Sequence, residues 1–153
     1  MSPDSINKTA AVIRRSRRGL TLVELIISVT IMGILMSIAA PSFQRAVVQS
    51  RADIAAANLR AIWSAERCYW LDHRTYTDDL AELTSLGLLD PTIAASSTYF
   101  VYAIGTADQT SFVATVTRTP GSRWSGQFVI DQTGIVTGSI DAMGESSLVP
   151  GFQ

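Results

Sequence analysis

Leu20 to Ala40 is an unbroken run of 21 residues whose single charge is Glu24, and it constrains the chain more than any other stretch. Wound as a helix at roughly 1.5 Å per residue, it is about 32 Å long, close to the thickness of a bilayer's hydrocarbon core. A run of that length predicts a membrane span. Five of the chain's 12 bases (Lys8, Arg14, Arg15, Arg17, Arg18) and one of its 13 acids (Asp4) precede the span, leaving seven bases against twelve acids in residues 20–153. Basic flanks stay in the cytoplasm, so the acidic body is expected on the far side of the membrane, held by a single pass. A body of net charge −5 also argues against a nucleic-acid binder, which needs a concentrated basic surface.

The same segment admits three readings. A signal anchor would only tether the body. A cleaved secretory signal would use the small residues "SIAA", with cleavage after Ala39, but its apolar region should be 7–15 residues long. The third reading rests on the junction "RRG|LTLVEL", residues 17–25. This junction resembles the prepilin cleavage site of type IV pilins and type II secretion pseudopilins. The resemblance implies cleavage after Gly19 by a prepilin peptidase on the cytoplasmic side, and methylation of the new terminal residue, Leu20. It also implies a role for Glu24 as the acidic fifth residue of the processed chain. Leucine at the new terminus departs from the phenylalanine common in the family.

An ionised side chain in a membrane is costly and usually has a partner. Cleavage would place a positive amine on Leu20, and the resemblance implies that Glu24 neutralises the amine of a neighbouring subunit. Gly33 and Pro41 weaken a helix, by about 1 and 3 kcal/mol relative to alanine. In related filaments the helix loosens between such residues. Ser37 and Ser42 are placed to take up backbone groups freed there.

Beyond Pro41 the pattern stays helical and becomes amphipathic, to about Leu71. Val48, Ala52, Ala55, Leu59, Ile62 and Tyr69 form a stripe interrupted at Glu66. Asp79 and Glu82 have the spacing of a capping box before a short helix carrying Leu80, Leu83 and Leu86 and stopped at Gly87. Strand-forming residues follow at Thr98–Ile104, Ser111–Thr119 and Gly126–Ile140, the last with "DQTG" inside it. The tail "MGESSLVPGFQ" reads as a loop or mobile end.

The expected fold is therefore α+β: a long N-terminal helix packed against an antiparallel sheet of three or four strands, as in pilins. Three regions are expected: a basic leader at 1–19, a transmembrane and polymerisation helix at 20–41, and a periplasmic domain at 42–153 that includes the amphipathic half of the helix.

No catalytic constellation is legible. His73 is the sole histidine and Cys68 the sole cysteine, which excludes a multi-histidine site and an internal disulfide within one chain. Asp78, Asp79 and Glu82 fit capping better than acid–base catalysis. Trp63, Trp70 and Trp124 fit interior or subunit contacts. Asp131, Asp141 and Glu145 are too sparse to carry over the calcium site of major pseudopilins. The expectation is a non-enzymatic filament subunit with no metal or cofactor. Its partners would be prepilin peptidase, an inner-membrane assembly platform and other pilin-like subunits. The alternatives are a membrane-tethered periplasmic binding domain and a competence pseudopilin for DNA uptake.

Overall fold

The computed structural model describes residues 21–95, 97–121 and 123–151. The chain divides into two compact units, one ending at Ala40 and the other running from Pro41 to Gln153. Helix α1, Leu22–His73, contributes to both.

In the second unit α1 buries Val48, Ala52, Ala55, Ala56, Leu59, Ile62, Ala65, Glu66 and Tyr69. Their three- and four-residue spacing puts them on one helix face. The four alanines keep that face shallow, so larger side chains from the sheet fill the space. α1 is followed by α2, Leu80–Ser85, and α3, Pro91–Ala94. Four strands follow: β1 Phe100–Ala107, β2 Phe112–Arg118, β3 Trp124–Asp131 and β4 Val136–Ala142. They form an antiparallel meander in the order β1-β2-β3-β4. The predicted stretch 126–140 is thus two strands joined at residues 132–135, and it begins two residues early, drawing Trp124 into the core. Phe112, Ala114 and Val116 of β2, and Phe128 and Ile130 of β3, alternate onto the face that joins the α1 stripe in one buried cluster. Burying a side chain the size of Phe112 or Phe128 contributes about 1.5–3 kcal/mol.

Two local expectations change, and a further cap emerges. Asp79 caps α2 by accepting from Ala81 N at 2.7 Å, but Glu82 does not close the box. Its carboxylate instead accepts from the hydroxyls of Tyr69, at 3.0 Å, and Thr77, at 2.7 Å. That ties the end of α1 to α2. Asp90 caps α3, with proline at its first turn. The tail is anchored. Leu148 and Ile140 exchange backbone hydrogen bonds of 2.8 and 2.9 Å, Gln49 Nε2 donates to Val149 O, and Gly151 N donates to Asp53 Oδ1.

Glu66 does not interrupt the stripe; it lies within it and is fully buried. Oε2 accepts from Thr77 N at 3.2 Å, while Oε1 is buried without a hydrogen-bond partner. Burial raises its pKa from 4.5 to about 7, against the hydrogen bond from Thr77 and reinforced by the charge of Glu82. The folded carboxyl holds its proton more tightly than the unfolded one. Ionisation therefore favours unfolding, and stability falls as pH rises from 4.5 through about 7. Glu66→Gln keeps an acceptor for Thr77 and cannot ionise. Thermal melts of the full chain in detergent micelles between pH 5 and 8 should lose most of this slope in the variant. At pH 8 the variant should gain on the order of 3 kcal/mol. An unchanged slope would assign the pH dependence to other groups.

Candidate functional site

The first unit's described part is the apolar stretch of α1, and in the isolated chain every residue from Thr21 to Ala40 is exposed. Large side chains dominate it; Leu22, Met36 and Ile38 are 74%, 66% and 70% exposed. A helix apolar on all sides needs lipid or other helices around it, because water gives it no stable surroundings. Among the described residues α1 is the one helix long and apolar enough to cross a membrane.

The backbone groups at its start are organised by Thr21. Glu24 N donates to Thr21 Oγ1 at 3.2 Å and Leu25 N to Thr21 O at 3.1 Å. Thr21 is therefore the N-terminal cap, and Glu24, in the first turn, carries its charge where the helix dipole favours an anion. The cap is absent from the expectations above, although the Thr-x-x-Glu spacing at 21–24 signals it. Gly19 and Leu20 lie outside the described residues. Glu24 is exposed on α1.

The hydroxyls of the stretch are spent on its own carbonyls. Ser28 donates to Glu24 O at 2.7 Å, Thr30 to Ile26 O at 2.8 Å and Ser37 to Ile34 O at 2.7 Å. Each leaves a methyl or methylene outward and presents no unsatisfied donor to an apolar environment. Ser37 was expected to serve a group freed by Pro41. The carbonyl left without its helical donor by Pro41 is Ser37's own, so the hydroxyl serves a different residue. Pro41 nevertheless sits inside α1. Gly33 has open space where a Cβ would stand, so no close packing within the chain requires glycine there.

The remaining candidates take structural places. His73 stacks on Tyr69 with ring centroids 4.1 Å apart, and its Nδ1 lies 3.2 Å from Tyr69 O. Cys68 is exposed and unbridged. Trp63 and Trp70 donate to Gln132 O and Gln109 O, and Trp124 is buried. Asp131 accepts from Thr133 N and its hydroxyl, which lowers its pKa. Asp141 is lowered by the hydroxyls of Ser147 and Ser139. Glu145 pairs with Arg45 and Arg123. Among the described residues no group of three or more His, Cys, Asp or Glu side chains gathers as metal ligands would. Arg118, the last residue of β2, carries no signal in the sequence and faces the core beside Arg51 of α1.

Comparison with known proteins gives two matches. Residues 14–40 match the prokaryotic N-terminal methylation motif. The chain is also 38% identical over 66 residues to the type IV major pilin protein PilA of Myxococcus xanthus (strain DK1622). That match covers 43% of this chain and 30% of the relative's length. In these respects the chain is similar to a type IV pilin: it shares the N-terminal methylation motif over residues 14–40, and it has an apolar N-terminal helix and an α+β architecture of a long helix on a four-stranded antiparallel sheet.

Proposed function

We propose that this chain is a structural, non-catalytic subunit of a type IV pilus-like or type II secretion pseudopilus filament. One observation carries the proposal. Nineteen consecutive residues of α1, from Leu22 to Ala40, are exposed, and their single carboxylate lies one turn from the predicted cleavage point, within the methylation-motif match. In this reading prepilin peptidase cuts after Gly19, Leu20 is methylated, and lipid covers the helix until an assembly platform passes the subunit into a filament. There, the helices of neighbouring subunits replace the lipid. The basic residues before the span hold residues 1–19 in the cytoplasm and put the second unit on the periplasmic side.

Glu24 then has a selective task. A carboxylate in an apolar surround is stabilised by an opposite charge far more than in water. The terminal amine of an adjacent processed subunit provides that charge at one axial offset. The unprocessed leader provides no amine there. Cleavage would thus license assembly.

Intact-mass analysis of the membrane-extracted protein tests the processing. The expected chain begins at Leu20 and carries one added methyl group. A chain beginning at Ala40, or one retaining residues 1–19, overturns the reading.

A further inference from the structure

β2 alternates its buried side chains in the order Phe112, Ala114, Val116, Arg118. The fourth core-facing position is therefore a guanidinium, and Arg118 is only 7% exposed. It lies 5.4 Å from the centroid of Phe100. A second cation lies nearby. Arg51 of α1 sits 3.8 Å over the ring of Tyr99 and, together with burial, lowers the pKa of Arg118, which the Tyr99 hydroxyl opposes. Arginine stays protonated at neutral pH even when so disfavoured. Two positive charges are thus held together at one corner of the sheet, where the burial of Arg118 reduces the screening of their repulsion by water.

The corner also contains space. Arg51, Thr98, Tyr99, Arg118 and Thr119 line a cavity of about 300 Å³. Thr119 N is committed to Tyr99 O at 3.0 Å, but Thr119 Oγ1 is buried without a hydrogen-bond partner. The corner therefore brings two guanidiniums and a hydroxyl without a hydrogen-bond partner to one cavity.

We propose that this corner binds a phosphate group, either the free ion or a small phosphate monoester. Two guanidiniums match the two negative charges of a phosphate near neutral pH, whereas one carboxylate would leave a cation uncompensated. The fork geometry of arginine meets pairs of phosphate oxygens, and the Thr119 hydroxyl adds a further donor. The cavity is about ten times the roughly 30 Å³ that a water molecule occupies in the liquid. That leaves room for a short ester beside the phosphate. The site lies in the second unit and does not depend on filament assembly.

The test is isothermal titration of the full chain in detergent micelles at pH 7.5 and constant ionic strength, with inorganic phosphate, ethyl phosphate and acetate as separate probes. Saturable phosphate binding is expected, with no comparable binding of acetate. Loss of one charged donor in Arg51→Gln should weaken phosphate binding about tenfold or more. The same substitution removes a like-charged neighbour, so its melting temperature without phosphate should be unchanged or higher. That separates a lost ligand site from a damaged fold. Arg118→Met should also lose binding. Tighter binding of ethyl phosphate than of inorganic phosphate assigns the remaining space to an ester; equal or weaker binding assigns the site to the free ion. Phosphate heats no larger than those of acetate, or undiminished binding by a folded Arg51→Gln variant, overturn the proposal.

Discussion

Cells producing only Glu24→Ala are expected to retain the protein in the inner membrane and to yield almost no filaments. The substitution touches two interactions of different size. Within the chain, Glu24 complements the dipole at the start of α1, an effect of about 0.3–1 kcal/mol. A helix this apolar remains inserted without it, since removing a charge makes a membrane span cheaper. Between chains, the proposed pairing with the Leu20 amine is a desolvated ion pair, and buried interfacial charge pairs show couplings of about 1.5–7 kcal/mol. At about 3 kcal/mol per interface, the equilibrium constant for adding a subunit falls on the order of 100-fold. The larger interaction decides, so assembly fails while insertion survives. Glu24→Gln should behave like the alanine variant, because an amide hydrogen-bonds but does not neutralise. Immunoblots of sheared-filament and membrane fractions read the outcome. Filaments at wild-type abundance in either variant remove the charge-pairing mechanism. A passive tether of a binding domain predicts no change in where the protein is found.

The second large effect is expected at Gly126. Its φ of +136° is one that side chains rarely allow, and an added Cβ would lie 2.2 Å from Ser139 O and 3.0 Å from Ile140 Cα. Both obstacles are backbone of β4, which pairs with β3 through Gly126↔Ile140. Relief therefore requires the β3–β4 ladder to part. Gly121 isolates the conformational part of the cost: φ is +107° there, with no atom within 4 Å of a Cβ. Gly121→Ala should cost about 1–2 kcal/mol, from backbone strain alone. Gly126→Ala should cost about 4 kcal/mol or more, in the range reserved for severe steric faults. For a folded unit of this size the latter lowers Tm by roughly 15 °C or more. Thermal melts of the two full-length variants in the same detergent provide the comparison. Equal losses would mean that φ, not the approach of β4, sets the cost.

These two positions differ in how far the sequence makes them legible. Glu24 stands out on local evidence, as a lone charge in an apolar run beside a basic leader and a Gly-Leu junction. Gly126 reads as an ordinary strand residue. Its importance depends on the strand opposite.

The same division runs through the molecule. Apolar spacing placed Val48, Leu59 and Ile62 on one helix face, and strand-forming runs located β1 and β2 to within a few residues. These features depend on neighbours in the chain, so they can be read from it. Glu66 looked like a break in the stripe, because periodicity identifies a face without saying which polar groups meet it. Only the packing of α1 against the loop bearing Thr77 buried it and raised its pKa. Arg118 likewise reads as the polar end of a strand. Its neighbour Arg51 lies 67 positions earlier, and only the docking of α1 on the sheet brings the two cations together. The sequence thus determined the apolar helix, its lone acid and the order of elements, through interactions spanning a few residues. Tertiary structure decided which charges became buried, which cations became neighbours and where a methyl group has no room, because those depend on atoms far away in the chain.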